Sequence, residues 1–193
     1  MITDYLKNGD CQPVAYNCSS YDDFLRGKCV SCENNQCELA AYHVQVSKEN
    51  HFEQKTNPPY NNLKMYLKTA ALEPFCLYHY QVVVASDQVI TCDTIRVILK
   101  ENEKEFSVIV KKDDTQNTIT SLMTIDPKET NYTTPSFDSV SIGAKLFTTN
   151  CLEQISYIEI NYLSNIDERI RKEKSMKFCL DKDNRKFFQC ARN

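Results

Sequence analysis

Residues 77–85 read Leu-Tyr-His-Tyr-Gln-Val-Val-Val-Ala, a run dominated by aromatic and β-branched side chains. Such side chains are enriched in β-strands because they fit a pleated, half-buried surface. Runs of similar character recur at 94–99, 106–110, 118–125, 139–149 and 155–163, with two shorter runs around Phe178 and Phe187. No strong helical pattern separates them. Roughly seven to eight strands at regular intervals predict a mostly β protein, an antiparallel β-sandwich.

Cysteine is the most informative feature of the composition. The chain has 193 residues, and ten of them are cysteine, which indicates an oxidising compartment. The opening residues, Met-Ile-Thr-Asp-Tyr-Leu-Lys-Asn, contain no apolar signal-peptide core. A secreted composition without such a signal predicts a chain that lacks its N-terminal part. The alternative is a cysteine-rich cytosolic protein.

Two classes of partner are disfavoured by charge and hydropathy. The net charge of −3 gives no broad basic face, so no nucleic acid partner is expected. No apolar stretch of about 18 residues is present, so no transmembrane segment is predicted. Two triplets, Asn17-Cys18-Ser19 and Asn131-Tyr132-Thr133, have the N-glycosylation pattern and predict glycans at Asn17 and Asn131 in a secreted glycoprotein.

Four cysteines lie close together in the spacing Cys18-x10-Cys29-x2-Cys32-x4-Cys37. One interpretation is a zinc site, because four thiolates at such spacings suit tetrahedral zinc. The other is two disulfides that each close a small loop. The spacing does not choose between them, but the oxidising signature of the whole chain favours disulfides.

The sequence around these cysteines resembles the pancreatic lipase superfamily. Residues 15–32, Ala-Tyr-Asn-Cys-Ser-Ser-Tyr-Asp-Asp-Phe-Leu-Arg-Gly-Lys-Cys-Val-Ser-Cys, are similar to the segment that closes the family's α/β-hydrolase domain. Residues 65–69, Met-Tyr-Leu-Lys-Thr, and 74–80, Pro-Phe-Cys-Leu-Tyr-His-Tyr, resemble the opening strands of its PLAT domain. The form of the second stretch is most similar to the extracellular phospholipase A1 branch.

The resemblance implies a division of the chain into three parts. Residues 1–46 correspond to the cysteine-rich tail of a hydrolase domain, and residues 63–193 to a PLAT-like β-sandwich. Residues 47–62, which are polar and contain Pro58-Pro59, are the linker between them. We expect the tail to be unstable without its parent domain, because several apolar residues would lose their partner surface. These are Ile2, Leu6, Phe24 and Leu39.

The resemblance also implies disulfide pairs. The implied pairs are Cys18–Cys29, Cys32–Cys37 and, near the C-terminus, Cys179–Cys190. Cys76 and Cys151 lie on predicted strands, and we expect them to pair across the sandwich. Cys11 is expected to have lost its partner with the missing N-terminal part, and Cys92 has no assigned partner.

The family hydrolyses esters with a Ser-His-Asp triad whose serine lies in a Gly-x-Ser-x-Gly elbow. This chain has three glycines, and none of them lies in such a motif. Its histidines are His43, His51 and His79. His79 falls within a predicted strand, where a packed or surface imidazole is expected rather than a base. We therefore expect no catalytic residue, cofactor or metal ligand in this chain, and no ester hydrolysis by it alone.

A basic cluster lies near the C-terminus and comprises Arg169, Arg171, Lys172, Lys174 and Lys177. In the resembling family such clusters bind heparan sulfate or anionic surfaces. Because Asp167, Glu168 and Glu173 are interleaved, a solvated loop is the competing interpretation. Aromatic candidates for lipid contact are Phe52, Tyr60, Phe137, Phe147 and Phe187.

Taken with the resemblance, the sequence predicts a secreted, extracellular docking part of a phospholipase A1 or lipase. Its expected partners are a lipid or membrane surface, bound peripherally, and a protein partner or heparan sulfate. One alternative is an independent, non-enzymatic extracellular binding module. The other is an intracellular zinc-binding interaction protein.

Overall fold

A computed structural model describes residues 11–33, 36–40, 64–71, 75–112, 117–143 and 151–190. The predicted linker, residues 47–62, lies outside these residues. The strands are β1 (Val14–Asn17), β2 (Cys37–Leu39), β3 (Met65–Tyr66), β4 (Tyr78–Ser86), β5 (Thr94–Glu101), β6 (Lys104–Lys111), β7 (Thr118–Ile125), β8 (Ser139–Gly143), β9 (Ile155–Tyr162), β10 (Met176–Asp181) and β11 (Lys186–Gln189). The α-helices are α1 (Tyr21–Leu25), α2 (Cys151–Gln154) and α3 (Glu168–Lys174), and a 3-10 helix spans Pro127–Thr130.

Two antiparallel sheets form a sandwich, as the strand pattern predicts. One has five strands in the order β11-β10-β9-β4-β7, and the other has three in the order β6-β5-β8. Strand β5 shows how the sequence builds the core, since Ile95, Val97 and Leu99 are buried while Arg96 and Lys100 are exposed. A single cluster of buried side chains from both sheets fills the space between them. The alternation of side chains along a strand makes this arrangement possible.

The disulfide-rich segment forms a third, small sheet in the order β2-β1-β3. Strand β3, expected as an opening strand of the sandwich, pairs instead with β1, with Tyr16 opposite Tyr66. Aromatic packing accounts for this placement, because the Tyr66 ring centroid lies 6.4 Å from that of Phe24 and 5.9 Å from that of Tyr21.

The expectation that Phe24 would lack a partner surface is wrong. Phe24 is fully buried in a second cluster with Val14, Tyr16, Val30 and Leu163. Leu163 directly follows β9, so the sandwich itself supplies part of the surface that the tail was expected to need. Leu39 is half-buried against the same cluster, whereas Ile2 and Leu6 lie outside the described residues.

The structure contains the three disulfides that the resemblance implies. The Cα–Cα separations are 5.4 Å for Cys18–Cys29, 4.7 Å for Cys32–Cys37 and 5.4 Å for Cys179–Cys190. These distances fall within the range that disulfide geometry allows.

Two expectations about the other cysteines are wrong. Cys11 has not lost its partner but is bonded to Cys76, with a Cα–Cα separation of 6.2 Å, so Cys76 does not pair with Cys151. The loop from Leu163 to Ile166 brings the two together, because it contacts the backbone of both segments. Cys92 is also disulfide-bonded. Among the described helices, none has the length and apolar character that a membrane crossing requires.

Candidate functional site at the seam between the disulfide-rich segment and the sandwich

The disulfide-rich segment lies on the outer face of the five-stranded sheet and on the loop that follows β9. We call this contact the seam, and define it by residues 11–33 on one side and β4, β7, and residues 161–171 on the other. Backbone carbonyls on both sides accept hydrogen bonds across it, most of them from long side chains. The hydrogen bonds and side-chain packing of the seam determine how firmly the disulfide-rich segment is attached to the sandwich.

A turn at Gly27 rests directly on the sheet. The Gly27 carbonyl accepts a 2.6 Å hydrogen bond from Gln81 Nε2, and the Arg26 carbonyl accepts one of 2.6 Å from Thr120 Oγ1. Gly27 has φ +67°, and a Cβ there would lie 3.2 Å from Gln81 Cγ. A glycine therefore suits this turn both for its left-handed backbone and for its close approach to β4.

Tyr16 joins β1 to the loop after β9. Its hydroxyl donates a 2.7 Å hydrogen bond to the Leu163 carbonyl, and its side chain is fully buried. Burial raises the pKa of the Tyr16 phenol well above its usual value, although nearby Arg171 opposes the shift. The hydroxyl therefore keeps its proton and serves as a permanent donor across the seam.

Arg171, predicted as part of an anionic-surface cluster, instead faces the seam. Its Nη2 donates to the Val30 carbonyl at 3.0 Å, and its Nη1 lies 2.8 Å from Cys32 Sγ. Its Nε donates to the Tyr162 carbonyl at 3.3 Å. The guanidinium carbon lies 5.9 Å from the Tyr16 ring centroid, within range of a cation–π contact. Because Arg carries donors in a fixed fork, one side chain connects helix α3, strand β9 and the disulfide-rich segment.

The other members of the basic cluster also contact protein groups. Arg169 pairs with Asp167 at 2.9 Å, and Lys172 pairs with Glu168 at 2.7 Å. Lys174 Nζ donates to Thr134 Oγ1 at 2.8 Å, and Lys177 Nζ lies 3.8 Å from the Tyr157 ring centroid. Hydrogen bonding to these cations lowers the pKa of the Asp167 and Glu168 carboxyls. The five cations thus have different partners within the protein.

His79 and Ser164 lie side by side beneath the seam, and both are buried. Ser164 Oγ accepts from the His79 backbone N–H at 2.6 Å and donates to the Leu77 carbonyl at 3.1 Å. His79 Nδ1 lies 2.9 Å from the same carbonyl. Its Nε2 has no hydrogen-bond partner among the described residues, although the Lys68 carbonyl lies close enough to favour protonation slightly.

This serine–histidine pair is structural rather than catalytic. Burial lowers the pKa of His79 to about 4, so the ring is neutral near pH 7. Ser164 Oγ lies 3.1 Å from the Leu77 carbonyl and 3.4 Å from His79 Nδ1, and Nδ1 lies 2.9 Å from the same carbonyl. Both groups are therefore closer to the carbonyl than to each other, which does not favour transfer of the serine's proton to the imidazole. The expectation that His79 is a packed imidazole agrees with its burial.

Two clefts border the seam and share Lys28 and Gln81. The first, of about 340 Å³, has a mixed lining in which Lys28, Arg171 and Lys172 alternate with Glu33 and Glu168. The second, of about 330 Å³, is lined by Arg26, Gly27, Lys28, Gln81, Lys111, Thr118, Ile119 and Thr120.

The two predicted glycosylation sites have different surroundings. Asn17 lies on β1 between two other strands, and its Nδ2 donates to Gln36 Oε1 at 2.8 Å. Cys18, the next residue, is buried in its disulfide. Asn131 is exposed in a left-handed turn after the 3-10 helix, at φ 53°. The sequence triplets alone give no sign of this difference.

Two of the five aromatic candidates for lipid contact, Phe137 and Phe187, lie in the described part of the chain. Phe137 is buried in the core and Phe187 packs partly against it, because both side chains point between the sheets. Phe52, Tyr60 and Phe147 lie outside the described residues. The exposed large apolar residues of the described chain are Tyr21, Leu25, Phe75, Val89, Ile109, Tyr132, Ile166 and Phe188. The alternation of inward and outward side chains along a strand could have predicted that Ile109 is exposed. Loop residues such as Phe75 have no such alternation from which exposure could be predicted.

The zinc interpretation of the cysteine cluster fails on its chemistry. Cys18, Cys29, Cys32 and Cys37 are bonded in pairs, so their sulfurs are not thiolate ligands. In the part of the chain that the structure describes, no group of three or more potential metal-binding side chains comes together.

Comparison with known proteins shows what part of this chain is similar to. Residues 2–75 match the family described as Lipase. The chain is 34% identical to a putative endothelial lipase of Crotalus adamanteus over 82 residues, which are 42% of this chain and 14% of that protein. It is 38% identical to lipase member H of Mus musculus over 80 residues, 40% of this chain and 17% of that protein. It is 34% identical to lipoprotein lipase of Homo sapiens over 82 residues, 42% of this chain and 15% of that protein.

The chain therefore combines a disulfide-rich segment that is similar in sequence to lipases with an antiparallel sandwich. Residues 2–75 of the chain are thus similar to the lipase family. The matched stretches span between 14% and 17% of the length of these curated relatives.

Proposed function

We propose that this chain is the C-terminal docking part of a secreted, extracellular lipase-family protein, in the phospholipase A1 branch. The full-length protein would hydrolyse phospholipid or acylglycerol esters with residues that this chain does not supply. Residues 1–46 would be the tail of the hydrolase domain, residues 47–62 the linker, and residues 63–193 a PLAT-like sandwich. In this proposal the sandwich docks on a lipid surface, or on a protein or heparan sulfate partner, and orients the hydrolase.

The observation that carries this proposal is the seam. A docking domain orients an enzyme only if the two are held at a fixed angle, and a flexible linker alone does not do that. Here Tyr16, Arg171 and Gln81 connect the segment to three different parts of the sandwich. The Cys11–Cys76 bond adds a covalent connection that spans the linker. A surface bound by the sandwich would therefore fix the direction of the hydrolase tail.

Phe75 is the best-supported contact with a lipid surface. Its side chain is 50% exposed, and its backbone is in the left-handed region at φ 59°. For a bulky residue this conformation costs about 1–3 kcal/mol and persists only where the surroundings impose it. The adjacent Cys76, bonded to Cys11, supplies such a constraint. A large apolar side chain held outward beside a rigid bridge suits insertion into a lipid surface.

The second candidate function is an independent, non-enzymatic extracellular binding module. Its support is the burial of Phe24, which shows the disulfide-rich segment packing within this chain. Such a module would need no hydrolase domain to be stable. The two proposals would then agree on what the chain binds and differ on whether it serves a hydrolase domain.

Binding to lipid surfaces tests the proposal directly. The 193-residue chain is sedimented with phosphatidylcholine vesicles and with a triolein emulsion coated with phosphatidylcholine. Phe75→Ser should weaken binding by about 10-fold or more, since burial of a phenylalanine contributes about 1.5–3 kcal/mol. Phe188→Ser is the matched control, because Phe188 is similarly exposed, at 53%, but lies on edge strand β11. Absence of binding to either surface, or equal losses in both variants, would contradict lipid docking through Phe75.

A further inference from the structure

The Cys32–Cys37 bridge is accessible to molecules in solution. Both cysteines are half-buried, and Cys32 lines the first cleft, of about 340 Å³. Two further bridges at the seam each contain a cysteine that is only 5% exposed. They are Cys18–Cys29 and Cys11–Cys76. Because reduction of a disulfide begins with the attack of a thiolate on one of its sulfurs, a reductant reaches Cys32–Cys37 more readily than these two bridges.

A guanidinium lies against one of the two sulfurs of this bridge. Arg171 Nη1 is 2.8 Å from Cys32 Sγ, and the same side chain donates to the carbonyls of Val30 and Tyr162. These two carbonyls hold the guanidinium in place on either side of the sulfur. Both carbonyls and the bridged sulfur are neutral, so these contacts leave the positive charge of Arg171 in place beside Cys32.

Two carboxylates line the same cleft, and each is occupied or exposed. Glu168 pairs with Lys172 at 2.7 Å. Hydrogen bonding to Lys172 is the largest cause of the lowered pKa of the Glu168 carboxyl, and the charge of Arg171 is the smallest. Glu33 is exposed, where water and salt screen its charge. The direct contact at 2.8 Å therefore dominates the electrostatics at Cys32 Sγ.

The bridge also fastens strand β2 to the seam. Cys37 is the first residue of β2 and lies opposite Tyr16 in the register with β1. The Arg171 guanidinium lies 5.9 Å from the centroid of the Tyr16 ring. With the bridge open, Cys32 would stay beside Arg171, whereas β2 would depend on its three-residue pairing with β1 and on the packing of Leu39. Opening the bridge therefore loosens β2 and leaves the other contacts of the seam in place.

We propose that Cys32–Cys37 is a redox switch that a dithiol reductant opens, with Cys32 as the leaving sulfur. A thiolate of the reductant attacks Cys37 Sγ, the bond between the two bridge sulfurs breaks, and its electron pair passes to Cys32 Sγ. Cys32 leaves as a thiolate beside Arg171, and a cation in contact with a sulfur stabilises that form. The second thiol of the reductant then attacks the reductant sulfur of the mixed disulfide. Cys37 is released and takes up a proton, and the reductant becomes a disulfide.

Limited reduction of the whole chain tests the order in which the bridges open. The native protein is treated with dithiothreitol, free thiols are trapped with iodoacetamide, and labelled cysteines are identified by mass spectrometry. Cys32 and Cys37 should be labelled about 3-fold faster or more than Cys179 and Cys190. The hairpin bridge is the control for access, because both of its cysteines are also half-buried. Equal or faster reduction of the hairpin bridge overturns the proposal.

Arg171→Gln separates stabilisation of the leaving sulfur from simple access. It should slow the reduction of Cys32–Cys37 about 3-fold or more, because the leaving thiolate loses its cation. If Arg171 only held the seam together, its loss would instead speed this reduction. Arg169→Gln is the matched control, since Arg169 lies in the same helix with a side chain that is 91% exposed and paired with Asp167. Faster reduction in Arg171→Gln, or equal effects of the two variants, overturns the proposal.

Two measurements on the unsubstituted protein identify the leaving sulfur and the released strand. With the monothiol glutathione and an acid quench, the mixed disulfide should form on Cys37 with Cys32 free. Adducts on Cys32, or equal amounts on both, overturn the assignment. After selective reduction of this bridge, hydrogen exchange should become faster in residues 36–40 while β9 stays protected. Unchanged exchange in residues 36–40 would show that the bridge does not hold β2 and would overturn the switch.

Discussion

Tyr16 illustrates how one side chain couples the two parts of the molecule. Its hydroxyl bonds to the Leu163 carbonyl, and its ring lies beside Phe24 and beneath Arg171. Tyr16→Phe keeps the ring but leaves a buried carbonyl unsatisfied, which costs about 1–3 kcal/mol. Chemical denaturation should show that loss. Tyr21→Phe is the control, because Tyr21 is 47% exposed, and it should change the stability by less than about 0.5 kcal/mol. Equal effects of the two variants would contradict the role of the Tyr16 hydroxyl.

His79 should make the stability of the fold depend on pH. Burial lowers its pKa from 6.5 to about 4, so between these values the unfolded chain binds a proton that the folded chain does not. Stability from this group is complete above pH 6.5 and falls as the pH decreases toward 4. At about 1.4 kcal/mol for each pKa unit, the total loss is about 3 kcal/mol.

A titration of stability in the wild type and in His79→Gln tests this expectation. The other titrating groups are common to both proteins, so the difference between the two curves isolates His79. The wild type should lose about 3 kcal/mol more than the variant between pH 6.5 and 4. Parallel curves would show that His79 has the same pKa in the folded and unfolded chains and would contradict its burial as a neutral ring.

At the residue scale, the sequence predicted contacts between residues that are close in the chain. It did not predict contacts between residues that are far apart in the chain. The bridges Cys18–Cys29 and Cys32–Cys37 close short loops, and the family resemblance implied both. Cys11 and Cys76 are 65 positions apart, and only the folded chain brings them together. Arg171 was grouped with its basic neighbours, but its acceptors lie on Val30 and Cys32, more than a hundred residues away in sequence.

At the scale of elements, the strands were easier to predict than their partners. Strand β7 occupies the predicted range 118–125, and β9 differs from its prediction by one residue. These strands carry enough β-branched and apolar residues to be read directly from the sequence. Strand β3 has only two residues, and its pairing with β1 depends on the packing of Tyr66 against Phe24. Nothing in its local sequence specifies that choice.

The disulfide that spans the linker should stabilise the fold more than the one in the terminal hairpin. Cys11–Cys76 joins residues 65 apart, whereas Cys179–Cys190 joins residues 11 apart. Loop-closure entropy gives about 4 kcal/mol for the first and about 3 kcal/mol for the second. The double variants Cys11→Ser/Cys76→Ser and Cys179→Ser/Cys190→Ser should therefore differ in their unfolding midpoints in guanidinium. An equal or greater loss for the hairpin pair would contradict this order.

On the scale of the whole molecule, the seam makes the disulfide-rich segment part of one cooperative structure. The buried cluster around Phe24 includes Leu163 of the sandwich, and backbone bonds join Gln12 to Ser164. Opening the segment would therefore expose Phe24, Tyr16 and Leu163 together. The free energy of such an opening should approach that of global unfolding, because these contacts are buried and long-range.

Hydrogen exchange measured by mass spectrometry on the whole chain tests this central claim most directly. The protection of amides in β1 (Val14–Asn17) is compared with that in β9 (Ile155–Tyr162) as denaturant is added. If the seam holds, the opening free energies of the two strands agree within about 1 kcal/mol and both fall with the global denaturant dependence. Exchange of the β1 amides through a local opening several kcal/mol less costly, while β9 stays protected, would show that the segment is not fixed to the sandwich.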